Sequence, residues 1–483
     1  MVCGVNEAVV IGGGVSGVTN ALLLARFGWR VTLVEAAPRL LPLLRGFSRG
    51  KVRFDTGFHY AGGLDRGQEL WRLFALLGIE RQVQSLPMRA AGFDRIVNAA
   101  AAFQLDLPSG AEAFTAALIE RFPRQRHAIK RYVNDLLAAG ARLPYVNPAA
   151  DTPLDFSLDR DEISLGEYLA AVSDDADLRR VLSLHCVLHG NAAAQVPFAY
   201  HAAVVAPYIR CASTIKGGGA ALAKALTQAL ERADVCCRCG VAVQGLKLSA
   251  AGRVAGVELD SGEVLHCGTV INSTNPANLD AWLPAGALRP VYRRRLRSLP
   301  QTTAALLAFV TYRRADDLLC GRNIYIMTEA AELSAYPLDD NVLYLSAASS
   351  GSSDGLVAIM PTAETFAAGR TAAYYAAKER HRHKFMQRLS RAVPRLADNI
   401  ATCELATPLT MRDYARNGSG ALYGCGHRVG NFPLHAATRV TGLFNSGQAL
   451  VACGVMGAMA SACVTTGTII GHQQLLQELY KCS

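Results

Sequence analysis

Residues 8–17 read Ala8-Val9-Val10-Ile11-Gly12-Gly13-Gly14-Val15-Ser16-Gly17, and this stretch decides the fold. The apolar run predicts a buried strand, and the G-x-G-x-x-G spacing after it is typical of a turn into a helix that binds a dinucleotide. Gly12 allows the tight bend, Gly14 lets bare backbone approach a pyrophosphate, and Gly17 lets the helix pack against the strand. We expect the phosphates to lie beside this turn, which includes Val15 and Ser16.

The sequence that follows supports this interpretation. Apolar residues recur at helical spacing at Val18, Ala21, Leu22 and Ala25, and Gly28 ends the predicted helix. A second strand, residues 30–35, finishes on Glu35, about twenty residues past the glycines. An ionised carboxylate only accepts hydrogen bonds, so Glu35 is expected to accept them from the ribose hydroxyls. A solvated carboxylate at a strand end is the alternative.

Length and composition set the class of protein. A chain of 483 residues predicts at least two lobes, and 51% hydrophobic against 18% charged residues indicates extensive burial or an apolar substrate or membrane face. The net charge of +10 is scattered, with clusters at residues 289–297 and 380–384. Without an arginine-rich tail, nucleic acid is not an expected partner. Peripheral contact with an anionic membrane through Arg293, Arg294, Arg295 and Arg297 is expected instead.

The cysteines and histidines do not predict a metal site. Thirteen cysteines without a framework indicate reduced thiols and a cytoplasmic protein. Cys236 and Cys239 have metal-like spacing, but no second pair or histidine completes a zinc site. His185 and His189 would share one helical face if residues 182–185 are helical, and His201 follows, yet no acid lies at a useful spacing. Polar contacts in a core or cavity are the expected role of these histidines.

Residues 440–471 form the longest uncharged stretch, and its length alone would span a bilayer. Asn445, Ser446, Gln448 and Ser461 interrupt it, and the part after Gly454 is poor in large apolar residues. A buried helix packed against a sheet explains small residues better than lipid does.

Further strands and helices are predicted from hydrophobic periodicity. Strands are expected within 235–248, at 253–259 and 263–267 as a hairpin, at 269–273, and at 306–310, 323–326 and 342–345. Helices are expected at 69–77, 111–122, 126–139, 165–184 and 220–232. The arrangement favours a nucleotide-binding lobe made of discontinuous segments with a mixed α+β lobe inserted twice.

Two further segments form, together with residues 8–17, a recognisable set of three motifs. Arg53-Phe54-Asp55-Thr56-Gly57-Phe58-His59-Tyr60 resembles the second flavin-contacting stretch of the phytoene desaturase, carotenoid isomerase and retinol saturase family, within the amine oxidase superfamily. Gly442-Leu443-Phe444-Asn445-Ser446-Gly447-Gln448, with Gly454-Val455-Met456-Gly457-Ala458, is similar to its C-terminal flavin motif. The resemblance implies an FAD-dependent oxidoreductase, with NAD(P)H left open as electron donor.

The fold implied is α/β, with a three-layer Rossmann-like FAD-binding domain and an inserted α+β substrate domain. We assign residues 1–70, 205–285 and 425–483 to the first domain. Residues 71–204 and 286–424 are assigned to the second.

The resemblance also assigns roles to individual residues. Arg39 or Arg45 would support the phosphates, because residues 39–47 replace the usual Gly-Gly pair. Val243 would contact adenine, or be a core valine. Gly447 and Gln448 would lie beside the pyrophosphate and ribityl chain, and the N–H groups of Val455 and Met456 would favour negative charge on the reduced flavin.

His59 is the catalytic candidate, because the stretch that begins at Gly57 passes the flavin in relatives and an imidazole exchanges protons near neutral pH. A structural His59 bonded to backbone is the alternative, and Tyr60 and His185 are the next candidates. Lys216 would face the cavity, or be solvated at a helix start.

The function expected is hydride and proton transfer on a long, apolar, polyene-like molecule: desaturation, saturation, isomerisation or redox-driven cyclisation. Natural-product biosynthesis, such as that of polyene tetramate macrolactams, is one setting. An amine oxidase is an alternative, although the C-terminal motif lacks an aromatic pair. A lipid-binding scaffold resembling the GDP-dissociation inhibitors is another.

Overall fold

The computed structural model describes residues 6–146, 163–327, 338, 342–364, 366, 369–416 and 420–482. Within these ranges the strands, numbered β1 to β20 in chain order, are Glu7–Ile11, Arg30–Glu35, Phe47–Arg49, Val52–Phe54, Ala61–Gly62, Ser85–Pro87, Asp94–Asn98, Phe103–Leu107, Ala212–Ile215, Cys236–Cys239, Val243–Leu248, Val254–Leu259, Val264–His266, Thr269–Asn272, Ala304–Tyr312, Asn323–Met327, Val342–Ala347, Gly355–Thr362, Ile400–Ala406 and Leu443–Asn445.

The α-helices of the same ranges, numbered α1 to α16, are Val15–Arg26, Pro42–Arg45, Glu69–Leu76, Ala111–Arg121, Arg126–Gly140, Leu165–Val172, Ala176–Ser183, Phe198–Arg210, Gly218–Arg232, Asn278–Trp282, Pro290–Arg297, Ala372–Ala392, Pro394–Asp398, Pro408–Ala415, Gly454–Ile470 and His472–Tyr480. Short 3₁₀ turns lie at Pro123–Gln125 and Leu184–Leu188.

A parallel five-stranded sheet forms the first layer, in the order β10-β2-β1-β14-β20. Its central strand β1 is buried from Ala8 to Ile11, which explains an uninterrupted apolar run rather than an alternating one. The strands come from both ends and the middle of the chain, and all run parallel. Their carboxyl ends therefore meet at one edge, where α/β sheets bind ligands.

Helices α1 and α15 pack together on this sheet, with a buried row of polar side chains between them. Ser446 Oγ lies 2.9 Å from Ser16 Oγ and accepts from Asn20 Nδ2 at 2.8 Å. Thr466 Oγ1 donates to Asn20 Oδ1 at 3.1 Å. Since buried polar groups are costly unless paired, these bonds fix the N-terminal turn against the C-terminal helix.

A seven-stranded sheet forms the core of the inserted part, in the order β19-β15-β18-β17-β16-β7-β8. Its pairings are antiparallel except for β16 with β7. Strand β15 alternates: Leu306, Ala308 and Val310 face a core shared with α12, while Leu307 and Phe309 face the main core. The sheet is thus covered on both faces, and the fold is the expected Rossmann-like domain with an inserted α+β domain.

Several predicted elements differ from those observed. The helix expected over 165–184 is two helices, α6 and α7, because the chain is extended at Ser173 and Asp175 caps α7 by accepting from Leu178 N. The single strand expected within 235–248 is two strands, β10 and β11. Helix α15 is buried and rich in small residues, as predicted. None of the helices in the described ranges combines the length and hydropathy needed to cross a membrane.

Candidate active site

The turn after β1 is built from backbone. Gly12 has φ +102°, in the left-handed region that favours glycine. A Cβ on Gly17 would lie 1.8 Å from Gly12 O, so the helix contacts the turn directly. Around Gly14, by contrast, an added Cβ would have no protein atom within 4 Å. Helix α1 starts next to this space at Val15 and Ser16 with N–H groups that lack helical partners, which fits a pyrophosphate.

Glu35 ends β2 beside this turn. Its carboxylate accepts from Gly13 N and from Ala37 N, both at 2.6 Å, so it braces the loop. After β10 the chain passes it again, with Val241 N donating to Glu35 O, and Val243 is half-buried at the start of β11. The structure thus brings Glu35, the glycine turn and the strand of Val243 to one edge of the sheet.

The two candidate arginines differ in environment. Arg39 is exposed. Arg45 ends α2, and its guanidinium donates to Leu40 O at 2.6 Å and to Thr227 Oγ1 at 3.3 Å. Arg45 therefore holds the loop against α9, while Arg39 extends into solvent. Lys216 is also exposed, which matches the solvated alternative for that residue.

Gly447 and Gln448 lie on the loop between β20 and α15. Gly447 has φ +100°, and its carbonyl accepts from Ser461 Oγ at 2.7 Å. His427 Nε2 lies 3.2 Å from the Gln448 carbonyl oxygen. These bonds fix the loop that leads from the sheet edge to the start of α15.

A cavity separates two segments that are distant in sequence. One wall is the stretch from Gly57 to Gly62, and the other is the start of α15, including Val455 and Met456. The remaining lining residues are Leu143, Val187, Leu188, Ala203, Val204, Tyr208, Tyr344, Ile359, Tyr423, Ala452 and Cys453. The first N–H groups of α15 lack helical partners, so this wall favours negative charge.

His59 lines this cavity. Its Nδ1 lies 3.1 Å from Ser346 Oγ, and its carbonyl accepts from Thr214 Oγ1 at 3.1 Å. Burial lowers the pKa of His59 to about 4, because the apolar surroundings penalise the imidazolium. His59 is therefore neutral near pH 7, bonded to a side-chain hydroxyl rather than to backbone.

Tyrosines surround the cavity, although the C-terminal motif contains no aromatic pair. Tyr60, Tyr208, Tyr344 and Tyr423 come from four separate parts of the chain. The Tyr60 and Tyr208 rings are 4.7 Å apart, and burial raises the pKa of each of the four phenols. Sequence reasoning missed this wall because no local spacing links its members.

Asp94, on β7, is the acid that the sequence did not connect with a histidine. It is fully buried, and its Oδ2 lies 3.0 Å from His185 Nε2 and accepts from Tyr60 Oη at 3.1 Å. Its Oδ1 accepts from Asn323 Nδ2 at 2.8 Å. Asp94 and His185 are 91 residues apart in sequence. Only the fold joins this carboxylate to both His185 and Tyr60.

His185 and His189 do not share a helical face, because α7 ends at Ser183 and a 3₁₀ turn follows. His189 Nε2 instead lies 3.0 Å from His201 Nδ1, and both rings are buried. Cys186 lies beside them, with the three ligand-type atoms within 4.8 Å of one another. Cys236 and Cys239 lie on the edge strand β10 of the parallel sheet. All cysteines in the described ranges are free thiols.

The arginines of α11 are partly engaged within the fold. Arg293 donates to Asp280 Oδ1 at 2.9 Å, and Arg297 donates to Asp280 Oδ2 at 2.5 Å. Arg295 lies over the Phe432 ring at 4.4 Å from its centroid. These contacts reduce the charge that α11 offers to an anionic surface.

Known proteins match this chain over most of its length. The family model of the flavin-containing amine oxidoreductases matches residues 15–461. The all-trans-retinol 13,14-reductase of Rattus norvegicus is 24% identical over 522 aligned residues, covering 96% of this chain and 85% of that protein. The carotenoid phi-ring synthase of Chlorobaculum tepidum is 44% identical over 77 residues, covering 15% of this chain and 12% of that protein. Among solved structures, putrescine oxidase with bound putrescine has a TM-score of 0.67 at 14% identity, covering 96% of this chain and 99% of that one.

Proposed function

The chain belongs to the flavin-containing amine oxidoreductase family, and on that premise we propose that it transfers a hydride and a proton to a double bond of a long, apolar polyene. It is an FAD-dependent oxidoreductase. The observation that carries the proposal is the cavity lining, which contains neither a carboxylate nor a lysine or arginine side chain among the described residues. Relatives named for retinol and carotenoid reactions support a substrate of this class.

The lining favours a polyene over an amine on physical grounds. An alkylammonium ion loses its hydration on entry, and an opposite charge normally offsets that loss. Tyrosine faces attract a cation by about 0.5 to 2 kcal/mol, which offsets only part of that loss. A neutral conjugated chain incurs no such cost and gains from contact with Tyr208, Tyr344 and Tyr423.

The protein groups around the cavity have complementary roles. FAD, when bound, supplies the hydride chemistry. The start of α15 stabilises negative charge, and Val187, Leu188 and Ile359 exclude water from the substrate. The Glu35 carboxylate and the turn at Gly14 hold the dinucleotide end.

We propose that His59 acts as a neutral hydrogen-bonding group that positions the substrate. His59→Ala should retain FAD and lower turnover by about a hundredfold. His59→Gln, which forms hydrogen bonds without titrating, should retain most of the turnover, because burial already keeps the imidazole neutral. Equal loss in both variants would instead assign His59 to proton transfer, and turnover within a few-fold of the parent in both would make it structural.

The reaction is tested with anaerobic holoenzyme reduced by dithionite, NADH or NADPH. All-trans-retinol and β-carotene serve as probes, and loss of their long-wavelength absorbance reports a shortened conjugated system. Reoxidation of the flavin with product formation is the expected result.

The same preparation, left oxidised, is mixed with putrescine or cyclohexylamine. Flavin reduction by an amine, with both polyenes unchanged, would overturn the proposal in favour of an amine oxidase. A polyene that stays bound and unchanged under every electron source would favour a lipid-binding scaffold.

A further inference from the structure

We propose that Asp94 and His185 form a buried proton store for this reaction, and that Tyr60 passes the proton into the cavity. The inference rests on the proposed function and adds the source of the proton. Asp94 and His185 lie outside the three flavin motifs of the sequence.

The geometry places the two residues directly behind the cavity wall. One oxygen, Asp94 Oδ2, lies 3.0 Å from His185 Nε2 and 3.1 Å from Tyr60 Oη. Tyr60 lines the cavity, next to His59. Asp94, His185 and Tyr60 are 0%, 3% and 6% exposed, so bulk water does not separate them. A continuous hydrogen-bonded path therefore runs from His185 through Asp94 to Tyr60, a residue that borders the cavity.

The remaining partners orient this path. Asn323 Nδ2 donates to Asp94 Oδ1 at 2.8 Å, and Tyr344 Oη donates to Asn323 Oδ1 at 3.1 Å. Tyr325 Oη lies 3.0 Å from Tyr60 Oη. Asp94 Oδ1 is thus engaged by an amide that does not titrate, which leaves Oδ2 for the exchange between His185 and Tyr60.

A carboxylate–histidine pair is costly in a core. Both groups lose hydration on burial. Apolar residues of similar volume in the same two positions would often stabilise the fold equally well. Asp94 lies on β7, and His185 lies on the 3₁₀ turn after α7. Asp94 also accepts a hydrogen bond from Tyr60, at the end of the motif formed by residues 53–60. The position of the pair next to the reacting site is the feature that a purely structural pair would not need.

The other titratable groups around the cavity are poor proton sources near neutral pH. Desolvation lowers the pKa of His59 to about 4, and burial raises the pKa of the Cys453 thiol to about 12. Burial also raises the phenol pKa of Tyr208, Tyr344 and Tyr423. Burial raises the phenol pKa of Tyr60 as well, and the nearby Asp94 charge raises it further. Tyr60 can therefore give up its proton only if another proton replaces it in the same step.

Two more histidines face His185. Burial lowers the pKa of His189 to about 3 and that of His201 well below the usual range, so both are neutral. They pair with each other rather than with Asp94. A positive charge on His185 therefore has the Asp94 carboxylate as its counter-ion.

The proposed step balances as follows. A hydride, with its electron pair, forms a C–H bond at one carbon, and the π bond breaks to leave an electron pair on the next carbon. That carbon takes the Tyr60 O–H proton. The Tyr60 oxygen regains a proton from Asp94 Oδ2, which receives one from the His185 imidazolium. The substrate gains two hydrogens and two electrons, of which reduced FAD would supply the hydride. His185 becomes neutral, and a proton from the solvent restores its charge after turnover.

The first test uses reduced holoenzyme and all-trans-retinol. Tyr60→Phe, Asp94→Asn and His185→Gln should each lower product formation by about a hundredfold or more, and FAD content should stay at the parental level. Tyr132→Phe is the matched control, because Tyr132 is also buried beside a histidine, with its Oη 3.5 Å from His201 Nε2, but does not line the cavity. It should remain within a few-fold of the parent.

The solvent supplies a second readout in the same assay. In D₂O the parent should show a solvent isotope effect on product formation and place one deuterium in the product. Parental rates in Tyr60→Phe and Asp94→Asn would overturn the inference while leaving the proposed function intact. If Asp94→Asn fails to fold, Tyr60→Phe and His185→Gln decide.

The third readout does not depend on turnover. In ¹⁵N-histidine spectra of the oxidised holoenzyme, the His185 signals are identified by their loss in His185→Gln. They should show an imidazolium near neutral pH that becomes neutral in Asp94→Asn. A neutral His185 in the parent would overturn the proton store. If retinol and carotene are inert, the proposed function fails for those probes and this readout alone decides the inference.

Discussion

The nucleotide turn and the proton-store network are two sites built by opposite means. The turn consists of contiguous residues 12–17, and it uses backbone N–H groups and space left by missing side chains. The network joins Tyr60, Asp94, His185 and Asn323, which come from four separate parts of the chain, through side-chain hydrogen bonds. A site made of backbone groups can therefore be predicted from local sequence spacing, whereas a site made of distant side chains can be found only from the tertiary structure.

The two sites also differ in their tolerance of change. In the turn, Gly17 packs directly against Gly12 and Ser273, whereas Gly14 faces open space, so the two glycines have different roles although both belong to one motif. In the network, each member satisfies another, and removal of one leaves a buried polar group unpaired. Substitutions can separate these behaviours.

Gly17→Ala should have the largest effect. Its Cβ would lie 1.8 Å from Gly12 O and 2.6 Å from Ser273 Oγ, so α1 must move away from the sheet. We expect destabilisation of about 3 kcal/mol or more and loss of bound FAD. Chemical denaturation and the flavin spectrum of the purified protein measure both. A parental unfolding midpoint would show that the turn is not a packed contact.

Gly14→Ala should affect binding without affecting the fold. The added Cβ meets no protein atom within 4 Å, and Gly14 has φ −73°, which alanine adopts freely. The methyl group would instead crowd the pyrophosphate, raising the Kd for FAD about a hundredfold, or about 2.7 kcal/mol.

The control for Gly14→Ala is Gly268→Ala, which also adds a methyl group with no protein atom within 4 Å, but at a distance from the turn. It should bind FAD like the parent. Calorimetric titration of both apoproteins with FAD compares them. Equal affinities would remove Gly14 from the pyrophosphate site.

Asp55→Asn should have the smallest effect. It tests the segment of residues 53–60, which ends at Tyr60 of the proton-store network. Asp55 is 1% exposed, and burial raises its pKa from 3.8 to about 6, although Gly219 N donates to its carboxylate. Because the folded state holds the proton more tightly, the parent loses stability as the pH rises from about 4 to 6. Asparagine does not titrate, so the variant avoids that loss.

The free energy of unfolding of Asp55→Asn, relative to the parent, should rise by about 1 to 2 kcal/mol between about pH 4 and pH 7. Denaturant titrations at the two pH values measure this difference. A constant difference would show that the carboxyl has an ordinary pKa in the folded protein.

Local pattern predicted many elements well. The helices expected at 69–77, 111–122 and 126–139 are observed as α3, α4 and α5 within one residue at each end. The single helix predicted over 165–184 was wrong. Apolar residues recur at helical spacing on both sides of Ser173 and Asp175, but extended backbone at Ser173 ends α6 and the Asp175 cap starts α7. Strands β7 and β8 were not predicted, and with them the position of Asp94 was missed.

The sequence by itself determined the Rossmann-like domain, its nucleotide turn and the flavin family. These depend on glycine spacing, strand and helix periods, and backbone groups whose geometry neighbouring residues set. Only the tertiary structure decided the tyrosine-lined cavity, the neutral state of His59, and the pairing of Asp94 with His185 and Tyr60. The physical reason is range: burial and side-chain hydrogen bonds depend on which distant segments pack together, and no local spacing records that choice.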